Sequence, residues 1–305
     1  MDITRGNLDS LFTGFKANLA QGLGMATLQI EQFAMMVNSG TAIEKYPFML
    51  LLSTMREWIG DRQIQNIESK VLTVENDDYE HTIGVKRNDI EDDQLGIYSP
   101  LFQKMGQDAG NLWPRLAIAA MVANGTWLDG KAFFAADRKF GANTINNYVT
   151  SALTATTYGT ARVAMMSYLG HNDQPLGIVP DTLIVGPKLE ATAKKILESQ
   201  FVAGSIPTGE SSYVSGVTDS NPYFGTAKLI VHPLLVGSYD DYWFLAQTTG
   251  VAKPVVVQKR KVGALIPWDK DSDTCVKEKN ENHYGLHYRG AAAMTLPPLM
   301  YGGIL

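Results

Sequence analysis

The segment RNDIEDDQLGIYSP, residues 87–100, contains the clearest local indications of the fold. Its last two residues, Ser99-Pro100, predict the start of a helix, because serine caps a first turn and proline is tolerated at the first helical position. Apolar residues then recur at spacings of three and four, as they do on one face of a helix. The pattern predicts a helix over 100–123 that is roughly 36 Å long. Pro114 lies inside this helix and predicts a kink or a break near Leu112.

The sequence just before this stretch is polar and predicts two strands joined by a turn. Val71 and Thr73 lie on the first strand, and residues 79–85 alternate with the period of two that is typical of a second strand. Asn76-Asp77-Asp78 predict the turn between them. Eight acidic and two basic residues lie between positions 75 and 93, so the predicted hairpin is acidic. Because an isolated hairpin is marginal in water, we expect another surface to support it.

The rest of the chain predicts an N-terminal helix and a second half of mixed character. One apolar stripe over residues 7–23, formed by Leu8, Leu11, Phe12, Phe15 and Leu19, predicts the helix. Residues 140–161 carry no charge and predict a linker at a domain boundary. Beyond it we expect helices at 157–169 and 187–200, strands at 182–185, 228–235, 242–246 and 255–258, and a loop at 204–220. This alternation predicts a mixed α/β domain.

Composition excludes several classes of protein. The 305 residues carry 26 Lys and Arg against 31 Asp and Glu, a formal net charge of -5, which gives no overall attraction to nucleic acid or to an anionic membrane. Cys275 is the single cysteine, so no internal disulfide can form. No apolar run approaches the roughly 18 to 20 residues that span a bilayer, and the first residues lack the apolar core of a secretory signal. We therefore expect synthesis in the cytoplasm and no membrane partner.

The most metal-like pattern in the sequence is an acidic segment near residue 270. Asp269, Asp271 and Asp273 have the spacing of the first ligands of a calcium loop. Thr274 and Asn280, however, occupy the positions where such a loop requires glycine and glutamate. The segment therefore predicts a solvated acidic loop and no metal site.

Other candidate chemistry is equally sparse. His283 and His287 are four residues apart, which would suit zinc on a helix, but the surrounding tyrosines and glycines predict a strand. Adjacent acids such as Asp240-Asp241 could form a glycosidase pair, yet they are typical of hydrated turns. The sequence contains no nucleophile elbow and no phosphate-binding loop. We predict no catalytic, cofactor or metal site.

Two spaced motifs resemble a known family. Residues 57–62 read EWIGDR and contain W-x-G-x-R, and residues 89–98 read DIEDDQLGIY. Together they resemble the major head subunits of Mu-like bacteriophages, a family of major capsid proteins with the Hong Kong 97 fold. Residues 180–187, PDTLIVGP, add weaker support.

The resemblance implies an α+β fold of the Hong Kong 97 type. It has an N-terminal arm, an extended hairpin loop, a peripheral domain with a long spine helix, and a mixed α/β axial domain. We expect the arm and the entry to the peripheral domain at 1–52, the extended loop at 53–90, the peripheral domain at 91–150, the axial domain at 151–255, and a return to the peripheral domain at 256–305.

The resemblance also implies a structural function. The protein is expected to be a virion subunit of a tailed phage or Mu-like prophage that assembles itself, in the host bacterial cytoplasm, into pentamers and hexamers of an icosahedral shell. The shell would enclose double-stranded DNA without sequence-specific binding, and a separate scaffolding protein and a portal are expected partners. The alternative is a soluble α/β enzyme or an adaptor module that uses residues 157–258.

Nine residues are our candidate subunit contacts. Trp58 and Arg62 belong to the first motif. We further hypothesise that an acidic tip pairs in a neighbouring subunit with a basic patch. The tip comprises Glu75, Asp77, Asp78 and Glu80, and the patch comprises Lys259, Arg260 and Lys261.

Overall fold

Two five-stranded sheets organise the chain in a computed structural model that describes residues 3–26, 28, 30–47, 71–92, 95–170, 173–208 and 212–305. The helices are α1 (Arg5–Gly24), α2 (Arg87–Glu91), α3 (Ser99–Gly110), α4 (Leu112–Ala123), α5 (Ala155–Met166), α6 (Glu190–Leu197) and α7 (Thr274–Lys279). The first eight strands are β1 (Ala34–Asn38), β2 (Ile43–Tyr46), β3 (Leu72–Glu75), β4 (Asp77–Lys86), β5 (Arg138–Phe140), β6 (Asn143–Ile145), β7 (Tyr148–Val149) and β8 (Thr182–Val185). The others are β9 (Phe201–Thr208), β10 (Ser212–Ser220), β11 (Lys228–Val231), β12 (Trp243–Ala246), β13 (Val255–Lys261), β14 (Ile266–Trp268), β15 (Glu281–Met294) and β16 (Met300–Gly303).

The first sheet has the order β1-β13-β15-β14. The β13 and β14 strands pair with different parts of one edge of β15, and β4 pairs with the opposite edge of β15. The α1, α3 and α4 helices cover one of its faces. Tyr284 of β15 is fully buried there, with its ring centroid 5.1 Å from that of Phe15 on α1 and 5.7 Å from that of Phe102 on α3. Aromatic pairs at such distances add to the stabilisation from apolar burial. The predicted N-terminal helix is confirmed, and its apolar stripe packs on the chain's own core.

The two helices on this face cross almost at backbone contact. A Cβ atom added to Gly106 of α3 would lie 2.2 Å from the carbonyl oxygen of Leu19, and one added to Gly22 of α1 would lie 1.9 Å from that of Gln103. Only glycine permits this separation, because any side chain would overlap backbone atoms of the facing helix.

The predicted break in the helix over 100–123 is confirmed. The α3 helix ends at Gly110 and α4 begins at Leu112, with Asn111 between them. Pro114 has no N–H to donate to the carbonyl of Gly110, so it is tolerated in the first turn of a new helix but not within a continuous one.

The predicted acidic hairpin is wrong in its pairing. The β3 strand pairs antiparallel with β2, from Ile43 opposite Glu75 to Tyr46 opposite Leu72. The β4 strand instead pairs antiparallel with β15 in the first sheet, and Asn76 lies between β3 and β4. The period of two identified both strands correctly, but it contains no information on the strand with which each one pairs.

The second sheet has the order β11-β8-β12-β16-β7. Its central strands are apolar: β8 and β12 are buried along their whole lengths, as is common for strands with neighbours on both sides. The α6 helix packs against β8 and β11. These elements confirm the predicted mixed α/β character of the second half.

Three expectations for the second half differ from the structure. The predicted loop at 204–220 is a two-stranded antiparallel ribbon of β9 and β10. The uncharged segment 140–161 contains β6 and β7, and α5 begins within it. The predicted strand at 255–258 belongs to β13 of the first sheet, and the final segment 256–305 returns to the first sheet only as far as β15, because β16 lies in the second sheet. Each difference concerns partners that are distant in sequence.

Candidate assembly surface

The face of the first sheet opposite the helices is open. Successive residues of a strand point to opposite faces, and on β15 Tyr284, Leu286 and Tyr288 are buried under the helices. His287 and Arg289 lie on the opposite face, with side chains 39% and 31% exposed. We call this exposed side of β4, β15 and β13 the open face.

A chain of polar contacts crosses three strands of the open face. The guanidinium of Arg289 lies 2.7 Å from Oδ1 of Asp78, and Nε2 of His287 lies 2.9 Å from the same oxygen. Nζ of Lys261 lies 3.0 Å from Nδ1 of His287. Because an ammonium group can only donate, Nδ1 accepts from Lys261, which leaves Nε2–H to donate to Asp78. These contacts connect β13, β15 and β4.

These contacts hold Asp78 in its charged form. The hydrogen bond from His287 and the nearby charge of Arg289 lower the pKa of the Asp78 carboxyl below its ordinary value. The carboxylate therefore already has cationic and hydrogen-bonding partners within its own chain. The sequence correctly predicted a strand at His287 but missed this contact, because His287 and Arg289 are about 200 positions from Asp78.

Except for Glu75, which lies on β3 opposite β2, the acidic and basic candidate residues lie near one end of the first sheet. In the strand registers Asp77 is opposite Gly290, and Gly290 is opposite Lys259. The two clusters are thus two strands apart, or about 10 Å at the usual spacing of strands. The acidic residues of β4 are not the tip of a free hairpin, because β4 is part of the sheet. Their pairing with the basic patch of a neighbouring subunit stays a prediction.

The other candidate residues have varied surroundings. Lys259 is half-buried, and its Nζ lies 5.4 Å from the ring centroid of Trp113 on α4. Arg260 is exposed at the end of β13, and Glu75 is exposed on β3. Glu80 accepts a hydrogen bond from the hydroxyl of Thr82 at 2.7 Å. Trp58 and Arg62 lie outside the described residues.

A buried polar network anchors the β2–β3 ribbon to the first sheet. The side-chain amide of Asn76, 6% exposed, donates to Oγ of Ser39 at 3.0 Å and to the carbonyls of Thr41 and Ala42 at 2.9 and 3.2 Å. Its carbonyl accepts from Nε2 of Gln258, at 2.8 Å, a side chain that is fully buried on β13. The sequence identified Asn76 as a turn residue but did not identify Gln258. The only local indication that Gln258 is buried is its position after three valines in the run VVVQ.

A carboxylate completes the network at the start of the ribbon. Oε1 of Glu44 accepts from Oγ of Ser39 and from the backbone N–H groups of Gly40 and Thr41, at 2.8, 2.8 and 3.0 Å. These hydrogen bonds, led by that of Ser39, lower the pKa of Glu44 to about 2. The turn between β1 and β2 is thus fixed by a charged acceptor.

The acidic segment near residue 270 serves structural contacts. Oδ1 of Asp269, a side chain only 2% exposed, lies 2.8 Å from Nη1 of Arg5, and Asp271 lies 2.8 Å from Arg87. Asp273 accepts from the backbone N–H of Lys270 at 2.9 Å. No group of three or more His, Cys, Asp or Glu side chains that could hold a metal ion occurs in the part of the chain that the structure describes. Within the same part, none of the helices is both long and apolar enough to cross a membrane.

Comparison with known proteins identifies clear relatives. The family model "Mu-like prophage major head subunit gpT" matches residues 8–152, 140–235 and 234–303. The major capsid protein of Escherichia phage Mu is 36% identical over 137 residues, which cover 44% of this chain and 45% of that protein. The Mu-like prophage FluMu major head subunit of Haemophilus influenzae is 35% identical over 144 residues, which cover 47% of each protein. The matched segments thus span about half the length of these relatives.

The fold has a solved counterpart. A chain of the procapsid of bacteriophage JBD30 matches with a TM-score of 0.58 and 23% sequence identity, covering 99% of this chain and 76% of that one. At this level of identity the match concerns the fold, which is the mixed helix and sheet fold of phage capsid proteins.

Proposed function

Because this chain belongs to the Mu-like prophage major head subunit family, we propose that it is a major capsid protein that assembles into pentamers and hexamers of an icosahedral shell. The observation that carries the proposal is the family match, which extends from residue 8 to residue 303. The function is structural: closed rings form through repeated contacts between identical subunits, and the rings join into a shell without turnover of a substrate.

We assign the units of the fold to the roles expected in such a shell. The first sheet with α1, α3 and α4 is the peripheral domain, and α3 with α4 is its spine. The second sheet with α5 and α6 is the axial domain, which surrounds the five-fold and quasi-six-fold axes. The β2–β3 ribbon is the proposed base of the extended loop, and β4 is assigned to the peripheral domain, so the proposed bounds of the loop differ from 53–90. Its polar anchor at Asn76 and Gln258 supports this boundary.

We propose that the shell encloses double-stranded DNA without specific binding. The formal net charge of -5 gives the subunit no overall attraction to a phosphate backbone. A separate scaffolding protein and a portal are proposed partners, and assembly is proposed to take place in the host cytoplasm.

Exposed charges near the end of the first sheet are proposed subunit contacts, together with Trp58 and Arg62. Arg260 is exposed and has no ion-pair partner among the described residues, so it is free to pair with a neighbour. Arg260→Glu is expected to reduce the yield of particles at least several-fold. Lys277→Glu, on the exposed surface of α7, makes the same charge change and is expected to leave the yield unchanged. Equal yields for both variants would remove Arg260 from the contact.

The decisive experiment is assembly of the purified protein. The chain is expressed alone and with a co-expressed scaffolding protein, and the product is analysed by light scattering and electron microscopy. Rings, tubes or shells are expected. A stable monomer in both preparations would contradict the proposal, and a monomer that changes size only with a small ligand would favour an enzyme or adaptor that uses residues 157–258.

A further inference from the structure

The β4 strand forms a long free edge of the first sheet. Its ten residues pair with β15 in an unbroken register, from Asp77 opposite Gly290 to Lys86 opposite Glu281. Among the described residues, β15 is its one strand partner. The strand contains no proline and no bulge, which are two of the usual devices that protect an edge from pairing with another chain.

The backbone groups at this edge can be assigned. The N–H of Arg87, directly after β4, donates to the carbonyl of Asn280 at 3.0 Å, on the β15 side. In an antiparallel pair alternate residues direct their N–H and C=O groups to the same side. The odd-numbered residues of β4 therefore bond to β15, and residues 78, 80, 82, 84 and 86 present theirs to the free edge.

The side chains of these even-numbered residues share the open face, since Asp78 lies there with Arg289. In chain order they are acidic at Asp78 and Glu80, small at Thr82 and Gly84, and basic at Lys86. No carboxylate of the described residues lies within ion-pair distance of Lys86. The pattern is thus a charge gradient along one edge, with little bulk at its centre.

We infer that β4 pairs antiparallel with β4 of a second copy across a two-fold axis at Thr82. This register places Asp78 opposite Lys86 of the second copy and Glu80 opposite Gly84. The ammonium group of Lys86 in the second copy then lies near the carboxylates of Asp78 and Glu80 in the first copy. This interaction occurs twice because the contact is symmetric. The glycine leaves space for the backbones to approach. The inference names one contact of the proposed shell and rests on that function.

A self-pairing residue gives a direct test. Residues opposite each other in a hydrogen-bonded antiparallel pair have Cα atoms about 5.5 Å apart, within the range of a disulfide. Thr82→Cys in a Cys275→Ser background is expected to give a covalent dimer when particles are oxidised. Glu80→Cys is the matched control on the same strand and face, because its two copies would lie about 14 Å apart along the strands. It is expected to give no dimer.

The charges provide a second test. Lys86→Glu should reduce the Thr82→Cys dimer several-fold, and adding Glu80→Lys should restore part of it. If particles form and Thr82→Cys gives no dimer, the strand pairing is overturned while the proposed function stands. If no particles form, the function fails, and the same cross-link in soluble protein decides whether the strands pair.

Hydrogen exchange of the unmodified protein covers the case in which the cysteine variant does not fold. Amides of peptide 77–86 are expected to exchange at least tenfold more slowly in particles than in dissociated subunits. Unchanged exchange would overturn the pairing. Slower exchange without a Thr82→Cys dimer in a folded variant would show that another segment covers the edge, and would also overturn it.

Discussion

Asn76 is the residue on which the base of the β2–β3 ribbon depends. Its single amide satisfies three acceptors on the β1–β2 turn, and its carbonyl satisfies Gln258. The side chain is buried, so water cannot replace these partners readily.

Asn76→Ala is therefore expected to lower the free energy of unfolding by about 2–3 kcal/mol, since buried donors and acceptors would lose their partners. Urea denaturation of the unassembled protein measures the change. Asn88→Ala removes the same group from an exposed position and is expected to cost under about 0.5 kcal/mol. A loss no larger than that of the control would contradict the assigned role.

Glu44 gives the same turn a pH dependence. Its pKa is lowered to about 2 by hydrogen bonds that require the carboxylate, whereas an unfolded glutamate titrates near pH 4.3. The stabilisation is thus complete above the unfolded pKa and is lost as the pH falls toward 2.

The difference in unfolding free energy between wild type and Glu44→Gln is expected to shrink steadily from pH 5 to pH 2. Denaturation at several pH values measures it. Glu278→Gln, at an exposed position on α7 without such hydrogen bonds, is the control. A difference for Glu44→Gln that stays constant over this range would show that the charge does not stabilise the turn.

At the scale of elements, the crossing of α1 and α3 depends on glycine in both helices. Backbone atoms of α1 occupy the space that a side chain on Gly106 would need. Helix propensity alone would favour alanine by about 1 kcal/mol. The sign of the change in unfolding free energy therefore shows whether steric overlap or helix propensity has the larger effect.

Gly106→Ala is expected to destabilise the protein by about 1–3 kcal/mol, because the helices must separate to admit the methyl group. Gly14→Ala, on α1 with no atom within 4 Å of the added Cβ, is the matched control and is expected to stabilise by up to about 1 kcal/mol. Thermal and chemical denaturation measure both. Stabilisation of both variants would contradict the close crossing.

Local sequence signals predicted the elements better than their partners. Pro114 located the helix break because proline acts on its own turn, and the motif at 89–98 identified the family. The partner of β4 is β15, some 200 residues away, and no property of residues 77–86 encodes that choice. The same holds for the open face, where Lys261, His287 and Asp78 meet only after three strands have paired.

For the whole molecule, accessible surface agrees with a subunit that is covered by neighbours. The isolated chain exposes 16007 Å², whereas a compact monomer of its mass would expose roughly 12,600 Å². Exposed apolar side chains such as Val163 and Val251, at 65% and 87%, contribute to that surface. These exposed apolar side chains are available for the proposed contacts between subunits.

His232 lies where the second sheet contacts the segment that leads into the first sheet. It follows β11 of the second sheet, and its ring centroid is 6.2 Å from that of Phe33, which precedes β1 of the first sheet. Burial lowers the pKa of His232 to about 4. The unfolded chain therefore binds a proton near pH 6.5 that the folded chain does not, and stability falls as the pH drops from about 6.5 to 4.

His232→Leu is expected to remove this part of the pH dependence, on the order of 2–3 kcal/mol between pH 7 and pH 4. Unfolding free energies at pH 7, 5.5 and 4 measure it. His81→Leu, at an exposed position on β4, is the control and is expected to keep the wild-type slope. An unchanged slope for His232→Leu would show that the buried imidazole does not couple folding to pH.

The position of β16 between β12 and β7 sets an order of events during synthesis. Residues 300–303 are an interior strand of the second sheet, so that sheet stays open while the ribosome translates the preceding segments. The first sheet has all its strands once residue 294 has emerged. The second sheet of a nascent chain is therefore complete only after residue 303 is made, later than the first sheet.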